Sequence, residues 1–528
     1  APRAGAVGVA AAAAASPARI ATLHTSDAAA PASAGRAVHG AGGRPASPSM
    51  THDITDRDGP RDECGVFGIY APSHDVARLA YFALYALQHR GQESAGIATT
   101  DVGGNIMTLR DLGLVSQVFD EQKLRSLPGD LALGHVRYST TGSAAWENAQ
   151  PVYRSDRREL ALAHNGNLVN AVELHAELRE RGVAFRSTSD SEIIAALLST
   201  HEADAIEDAV ADVVPRLRGA FSTVVMTGDR IVAFRAPRGI RPLVLGMVGD
   251  RYCVASESCA LDIIGARLLR EVEPGEVVTL DEHGIGTRFA VAGARKAFCL
   301  FEYIYFARPD SRMNGTVLQA ARGRMGEILA REAPADADLV IAVPDSGNPA
   351  ARGFARASGI PHDDGFVKNR YVARTFIQPG QELRKHGLRL KFNPMPEIVA
   401  GRRLVVVDDS IVRGNTTRQI VQMLRDAGAR EVHLRITAPA IRHPCHYGID
   451  MSTREEMVAH GRESEAEIAG ELGADSLHYL SLEGVYEAVG GTRATHCDAC
   501  FSGEYPLPDA PRAQDKHAFE HGLPLVRS

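Results

Sequence analysis

Hydrophobic and polar residues follow two different rhythms along the chain, and the change falls near residue 300. Between residues 64 and 289, short apolar runs alternate with turn residues, which is the pattern of strands separated by tight connections. Two amphipathic helices interrupt the strands, one through VARLAYFALYALQHRG to Gly91 and one from STSDSEIIAALLS. In the second, Ser189 and Glu192 have capping-box spacing. This region is therefore predicted to combine β-structure with few helices.

After FEYIYFARPDS the order of elements becomes strand, loop, helix, strand. The runs ADLVIAVP and RRLVVVDD are apolar throughout, as expected of parallel strands buried on both faces. A helix through TTRQIVQMLRDAGA ends at Gly428 and leads to the strand EVHLRIT. These elements predict a small doubly wound sheet, followed by a mainly helical segment and a tail rich in Gly, Cys and Pro.

Composition adds limits to this picture. A chain of 528 residues is expected to form two or three domains, and residues 1–63, rich in Ala, Gly, Ser and Pro at first, are expected to be an unpacked leader. A net charge of −7 argues against a general nucleic-acid or membrane-surface binder. No apolar run is long enough to span a membrane, so we expect a cytoplasmic protein. Seven cysteines then indicate thiol or metal chemistry before disulfides.

The string VVVDDSIVRGNTT places Asp408 and Asp409 at the carboxyl end of a buried strand, just before a helix. Ligands of open α/β sheets bind at that edge, and helix N-termini hold phosphates. The two carboxylates would then face ribose hydroxyls or Mg²⁺. For an isolated pair of aspartates, the simpler alternative is that they end the strand and begin the next turn.

The complete string resembles the phosphoribosyl-diphosphate signature of type I phosphoribosyltransferases. A second loop, VPDSGNPAARG, follows another buried strand and is expected to bind the leaving pyrophosphate. Residues 368–394 between the two are either an exposed basic loop or a lid over an anionic substrate. For Mg²⁺, the resemblance implies Ser346, Asp408 and Asp409. For phosphoribosyl diphosphate, it implies Asp408, Asp409, Ser410, Arg413, Gly414, Asn415, Thr416, Thr417, Ser346 and Gly347.

The first region opens on Cys64, at the boundary between the charged DRDGPRDE and the apolar GVFGIY, and alone it would be read as a buried cysteine. With HRGQESAG, GHVRYSTTG, AHNGNLVN and STSDSE, however, it resembles the class II glutamine amidotransferases, which are N-terminal-nucleophile hydrolases. Cleavage between Glu63 and Cys64 would free an α-amino group of pKa about 7.7–8.0 as general base. By the same resemblance, Arg137 and Asp190 hold the glutamine α-carboxylate and ammonium, and Asn165 and Gly166 donate to the oxyanion.

Four further cysteines lie in RKAFCLFEYIYF, RHPCHYGID and THCDACFSG. Their spacing allows a zinc site, an iron–sulfur cluster or reduced core thiols. The glutamine phosphoribosyl-diphosphate amidotransferases, which the chain resembles over residues 64–505, include a subgroup with a [4Fe–4S] cluster in these contexts. The ligands implied are Cys299, Cys445, Cys497 and Cys500, which leaves Cys253 and Cys259 to the core.

The resemblance implies an αββα sandwich over residues 64–295 and a phosphoribosyltransferase domain over 296–445, with a helical segment and tail over 446–528. It also implies a glycosyltransferase that passes ammonia from glutamine to phosphoribosyl diphosphate and makes 5-phosphoribosylamine, the first committed step of purine synthesis. Purine nucleotide inhibition and a homotetramer belong to the same expectation. Two rivals are a transcriptional regulator that keeps only the diphosphate signature and another class II amidotransferase, for amino sugars or asparagine.

Overall fold

The computed structural model describes residues 64–507 except 102, 139–142, 370–388, 390, 450, 452 and 463. The expected leader, residues 1–63, lies outside the described residues, as does most of the basic loop at 368–394. Both remain predictions.

An antiparallel sheet of seven strands begins directly after Cys64. Its strand order is β11–β9–β10–β1–β4–β2–β3. In chain order the strands are Gly65–Tyr70 (β1), Ser94–Thr100 (β2), Ile106–Leu112 (β3), Leu131–Arg137 (β4), Val244–Val248 (β9), Arg251–Ala255 (β10) and Arg267–Glu271 (β11).

A second antiparallel sheet has six strands in the order β13–β12–β8–β7–β6–β5. The strands are Val152–Ser155 (β5), Glu159–Leu168 (β6), Gly219–Met226 (β7), Ile231–Arg235 (β8), Glu276–Asp281 (β12) and Gly284–Phe289 (β13). The helices of this region are Val76–Ala86 (α1), Val115–Val118 (α2), Glu121–Arg125 (α3), Ala171–Glu180 (α4), Asp190–Ser199 (α5), Ile206–Val213 (α6) and Ser258–Ile263 (α7), with 3₁₀ turns at Trp146–Asn148 and Val214–Arg216.

Three apolar layers show how these elements stack. Helices α1 and α7 cover the first sheet, with Cys253 and Cys259 in that layer as predicted. The two sheets face each other through residues such as Val66, Leu133 and Val224. Helices α4, α5 and α6 cover the outer face of the second sheet. The predicted αββα sandwich is therefore confirmed.

A parallel sheet of four strands, ordered β17–β20–β21–β22, forms the centre of the second half. Its strands are Leu339–Ala342 (β17), Arg403–Asp408 (β20), Glu431–Ile436 (β21) and Ser476–Tyr479 (β22). Short pairs are Phe298–Cys299 (β14) with His496–Cys497 (β23), Arg312–Met313 (β15) with Thr316–Val317 (β16), and Phe366–Lys368 (β18) with Phe392–Pro394 (β19). The helices are Leu318–Glu332 (α8), Asn348–Ser358 (α9), Pro396–Val399 (α10), Asn415–Asp426 (α11), Glu465–Leu472 (α12), Leu482–Val489 (α13) and Ala499–Ser502 (α14), with a π-helical turn at Glu302–Phe306 and a 3₁₀ turn at Arg454–Glu456.

The structure differs from the sequence interpretation in three places. The segment after residue 445 is not only helical, because β22 pairs in parallel with β21 and completes the sheet. Helix α1 ends at Ala86 and not at Gly91. Ser189 does cap α5, but Glu192 accepts from the backbone N–H groups of Arg186 and Ser187, so the capping box does not form. The spacing of Ser189 and Glu192 in the sequence therefore predicted where the helix begins, but not the hydrogen-bond partners of Glu192.

Close packing of α8 on α9 generates a stability prediction. A Cβ at Gly326 would lie 1.9 Å from the carbonyl oxygen of Ala350, whereas one at Gly323 would meet only Pro349 O at 3.9 Å. We expect Gly326→Ala to lower the free energy of unfolding by about 1–3 kcal/mol through overpacking. Gly323→Ala, on the same helix, should raise it by about 0.5–1 kcal/mol. Urea unfolding of both variants checks this, and equal effects would contradict the close approach.

Candidate functional site

The first candidate site lies at the start of β1. Gly65 faces Val136 in the register of β1 and β4, so Cys64 lies beside Arg137 at the end of β4. The Cys64 Sγ donates to the carbonyl oxygen of Tyr138 at 3.3 Å. A polar pocket opens here, lined by Cys64, Arg137, Tyr138, Gln150, His164, Gly166, Ser189, Asp190 and Ser191. Four of the residues predicted from sequence thus share one pocket, and the fifth, Asn165, precedes Gly166 on β6.

The Cys64 thiol is protonated at neutral pH. Burial raises its pKa to about 11, while the Arg137 charge opposes this and the Glu93 and Asp190 charges add to it. A thiol is a weak nucleophile and a thiolate a strong one. The pocket itself therefore does not ionise Cys64, and a base must take the proton.

Gly166 lines the pocket, and its neighbour Asn165 carries a buried amide group. The side-chain Nδ2 of Asn165 is buried and has no hydrogen-bond partner within the part of the chain that the structure describes. Gly166 has φ +144°, and a Cβ there would lie 1.9 Å from the carbonyl oxygen of Ala220. Only glycine fits that position. A buried amide donor without a partner carries a desolvation cost that an incoming anionic oxygen would offset.

Arg137 and Asp190 bring opposite charges to the same pocket. Burial lowers the pKa of the Arg137 guanidinium, and Glu93 Oε2, at 3.9 Å from its Nη1, opposes that shift. Asp190 begins α5, and its Oδ2 accepts from the backbone N–H of Leu168 at 3.0 Å. A cation and an anion fixed in one pocket suit a zwitterion, such as a free amino acid.

Sequence reasoning missed several supports of this pocket. Gln150 donates to Ser191 Oγ at 2.9 Å and accepts from the backbone N–H of His164 at 2.8 Å. Arg90, in the HRGQESAG motif, donates from Nε to the carbonyl oxygen of Cys64 at 3.1 Å and forms ion pairs with Glu257 and Glu302. The motif marked Arg90, but nothing in the sequence indicated partners so distant along the chain.

The second candidate site lies at the carboxyl edge of the parallel sheet. Strands β17 and β20 pair in register from Leu339 and Leu404 onward, so the loops that follow them lie side by side. A Cβ at Gly347 would lie 2.5 Å from the carbonyl oxygen of Val407. The loop at 343–347 therefore contacts the strand that ends at Asp408, and the predicted residues Ser346 and Gly347 lie beside the aspartates.

Two buried carboxyl groups adjoin one another at this edge. Burial and the charge of Asp409 raise the pKa of Asp408 well above its ordinary value. Burial also raises the pKa of Asp409, against hydrogen bonds from Ser346 and Ser410 and the charge of Arg322. Serine oxygen and two carboxylates are hard ligands, and a divalent cation would relieve their mutual repulsion. These donors fit Mg²⁺.

The predicted phosphate loop follows Asp409 into the amino terminus of α11. Gly414 caps this helix with φ +83°, and Asn415, Thr416 and Thr417 form its first turn. Arg413 Nη2 lies 3.3 Å from Glu456 Oε2. The backbone N–H groups and partial positive charge of a helix N-terminus suit an anion. The loop and the acidic pair thus place anion-binding and cation-binding groups next to each other.

The four predicted cluster cysteines line one cavity, together with Arg241, Tyr447 and Tyr505 among others. Cys299 faces Cys497 in the parallel pairing of β14 with β23. The pKa values of Cys497 and Cys500 are raised well above the ordinary value by burial and then by the charges of neighbouring cysteines. Neutral thiols crowded in this way fit a thiolate-ligated inorganic group, whose positive metal ions would stabilise the ionised sulfurs.

Within the described residues, no three or more His, Cys, Asp or Glu side chains, the four cavity cysteines included, are grouped so that they could hold one metal ion. No described helix is both long and apolar enough to cross a membrane.

Comparison with known proteins places both halves in context. A family model described as a glutamine amidotransferase domain matches residues 135–262. The amidophosphoribosyltransferase of Mycobacterium bovis is 51% identical over 483 residues, covering 89% of this chain and 91% of the relative. The amidophosphoribosyltransferase of Bacillus subtilis is 46% identical over 459 residues, covering 86% and 96%.

A solved structure agrees with these relatives. The glutamine phosphoribosylpyrophosphate amidotransferase of B. subtilis, complexed with ADP and GMP, matches with a TM-score of 0.80 and 44% identity over 85% of this chain and 99% of that one. Fold and sites together define a glutamine amidotransferase joined to a phosphoribosyltransferase. The chain belongs to the amidophosphoribosyltransferase family. The match spans both halves of the chain. It therefore argues against both rivals, the transcriptional regulator and another class II amidotransferase.

The raised pKa of Asp408 generates a stability prediction. When a carboxyl pKa is higher in the folded than in the unfolded protein, folding takes up protons, and stability falls as pH rises through the folded pKa. Asp408→Asn removes the ionisable group and with it this loss of stability at high pH. Its side-chain oxygen can still accept from the backbone N–H of Asp409. We expect a higher urea midpoint than the native protein at pH 7.5 and a smaller difference at pH 4.

Asp338→Asn is the matched control, because hydrogen bonds from Arg403 lower the pKa of Asp338 to about 2. Its stabilisation is present above the unfolded pKa of about 3.9 and is lost on acidification. This variant should therefore lower the urea midpoint at pH 7.5. A destabilised Asp408→Asn at that pH would contradict the buried repulsion.

Proposed function

We propose that this protein transfers the amide nitrogen of glutamine to phosphoribosyl diphosphate. The products are 5-phosphoribosylamine, pyrophosphate and glutamate, in the first committed step of purine biosynthesis. The observation that carries this proposal is that one chain combines a thiol pocket holding Arg137 and Asp190 with an Asp408–Asp409 pair at a helix N-terminus. The family relationship supports the same reaction.

Cleavage between Glu63 and Cys64 activates the first site. The freed α-amino group, with a pKa of about 7.7–8.0, takes the proton that burial keeps on the thiol. The thiolate attacks the amide carbon of glutamine, ammonia leaves, and water releases glutamate from the thioester. In an uncut chain the same nitrogen is an amide, which is no base.

The four other residues predicted for the first site each have one role in this reaction. Arg137 pairs with the α-carboxylate of glutamine, and Asp190 with its ammonium. Asn165 Nδ2 and the Gly166 N–H stabilise the oxyanion of the tetrahedral intermediate, each donor being worth about 3–4 kcal/mol. The unpartnered amide of Asn165 supports this role.

The second site binds phosphoribosyl diphosphate. Residues 410–417 hold the 5-phosphate, Asp408 and Asp409 face the ribose, and Ser346 and Gly347 lie toward the pyrophosphate. Mg²⁺, held by Ser346, Asp408 and Asp409, supplies positive charge that neutralises the diphosphate when bound. Ammonia then displaces pyrophosphate at C1 of the ribose.

The cysteine cavity holds a [4Fe–4S] cluster on Cys299, Cys445, Cys497 and Cys500. Its support is that these four cysteines line one cavity, where the N–H of Tyr447 donates to Cys445 Sγ at 3.3 Å. Hydrogen bonds to ligand sulfur are common around such clusters. The cluster's role is structural, because the proposed reaction moves no electrons.

Further properties complete the proposal. Purine nucleotides act as feedback inhibitors, as the ADP and GMP bound to the B. subtilis enzyme suggest. The enzyme is a homotetramer of the cytoplasm. None of the seven cysteines, all within the described residues, forms a disulfide, which fits a reducing compartment.

The central test is glutamate release by anaerobically purified protein, with and without phosphoribosyl diphosphate and Mg²⁺. Cys64→Ala should lower glutamine-dependent synthesis by about 10³-fold or more, because loss of a covalent nucleophile costs up to about 10⁶-fold. Synthesis from high ammonia should stay within about twofold, since the second site is separate. Cys253→Ala, at a core thiol, is the control and should keep both activities.

The reciprocal variants are Asp408→Asn and Asp409→Asn, which should weaken synthesis from ammonia. Unchanged ammonia-dependent rates would refute their placement, and loss of both activities in Cys64→Ala would count against separate sites. An intact mass that still includes Glu63 identifies an uncut chain.

The cluster has its own test. Anaerobic native protein should contain about four iron and four sulfide per chain with the broad visible absorbance of such clusters. Cys500→Ala should lose most of both, whereas Cys253→Ala should keep them. Zinc alone, or no metal, in the native protein would exclude the cluster.

A further inference from the structure

A loop from the second half of the chain contacts the oxyanion residues of the first pocket. Residues 446–448 follow the cavity cysteine Cys445 and lie against β6. Asn167 donates from Nδ2 to the carbonyl oxygen of His446 at 3.1 Å. At Gly448, a Cβ would lie 3.0 Å from the carbonyl carbon of Gly166 and 3.1 Å from its Cα. The loop therefore touches Gly166 at its Cα and at the peptide unit that follows, next to the N–H proposed as oxyanion donor.

The opposite side of this loop is held by Arg241. This arginine is fully buried and donates from Nε and Nη2 to the carbonyl oxygen of Tyr447 at 2.9 and 2.6 Å. Its backbone carbonyl accepts from Ser222, which pairs with Asn165 across β7 and β6. A Cβ at Gly448 would also lie 3.2 Å from Arg241 Nη2. The loop thus contacts both the buried guanidinium and β6, and a Cβ at residue 448 would lie closer to each than an ordinary van der Waals contact.

Gly166 is confined from the other side as well. Its own φ is +144°, and the carbonyl oxygen of Ala220 on β7 lies where a Cβ would be. The peptide is therefore enclosed between β7 and residues 446–448. If the loop moved toward solvent, one side of Gly166 would lose its contact. A larger residue at position 448 would instead push against Gly166.

We propose that residues 446–448 position the Gly166 peptide for oxyanion binding, with Gly448 as the positioning residue that sets the distance. Gly448 touches neither the glutamine nor the thiol. It acts through Gly166, so its substitution affects the step that develops the oxyanion more than the binding of glutamine. This inference rests on the proposed glutaminase role of Cys64 and Gly166.

The test compares Gly448→Ala with Gly182→Ala. Both glycines have positive φ, +107° and +81°, but a Cβ at Gly182 meets nothing within 4 Å. Gly448→Ala should lower kcat with glutamine by at least about tenfold, and up to about 10²–10³-fold, the cost of one lost oxyanion donor. KM for glutamine and synthesis from ammonia should stay within about twofold. Gly182→Ala should change neither activity.

A second measurement separates oxyanion geometry from general damage. Alkylation of Cys64 by iodoacetamide forms no tetrahedral oxyanion, so its rate should be the same in Gly448→Ala and native protein. If Gly448→Ala does not fold, Asn167→Ala removes the bond to His446 without adding volume, and a selective fall in kcat with glutamine is again expected.

Three results would overturn the inference: full glutamine activity in the variant that folds, an equal loss of ammonia-dependent synthesis, or a matching loss of Cys64 alkylation. Native protein that releases no glutamate after correct cleavage at Cys64 would instead refute the proposed function. The two failures are therefore distinguishable.

Discussion

A buried ionic cluster joins the two halves of this molecule. Arg90 is fully buried and is paired at 2.5 Å with Glu257 of the first half and at 2.7 Å with Glu302 of the π-helical turn. Burial alone would raise the pKa of Glu257, but the charges of His89 and Arg90 hold it well below its usual range. Removing one partner of such a pair strands a buried charge and typically costs about 3–5 kcal/mol. The arrangement therefore holds only while both halves are docked.

The same cluster connects the two candidate sites. Arg90 donates to the carbonyl oxygen of Cys64, which fixes the backbone of the nucleophile. On the other side, the buried Arg322 of α8 donates to the carbonyl oxygen of Tyr303 in the π-helical turn and to that of Ala307 just after it. Its positive charge also interacts with the charge of Asp409. Cys64 and the Asp408–Asp409 pair are thus connected through Arg90, the π-helical turn and Arg322. Both arginines are buried where the two halves meet.

The sequence indicated the chemistry of the sites better than the contacts that support them. Asp408 and Asp409 were predictable because buried parallel strands read as continuous apolar runs, and their ends are marked by the first polar residues. Cys64, Arg137, Asn165, Gly166 and Asp190 were identified through motifs, which record local backbone needs such as the positive φ of Gly166. Glu302 lies in the string RKAFCLFEYIYF and Gly448, with φ +107°, in RHPCHYGID, but neither string indicates the partner of its residue. Their roles depend on residues more than 200 positions away, and no periodicity or spacing encodes such a pairing.

The C-terminal segment is where this limit mattered most. Predicted to be mainly helical, it also supplies β22 to the parallel sheet and β23 to the pairing with β14, at the junction of the two halves. Its first residues, 446–448, lie on β6 of the first half. The C-terminal segment thus contacts three places: the outer edge of the parallel sheet, the junction of the two halves, and strand β6, which carries Asn165 and Gly166. Because these contacts connect parts distant in sequence, their loop-closure entropy must be offset by buried contacts of the kind seen around Arg241 and the cysteine cavity. A shortened chain would therefore lose support in both halves and not only at its end.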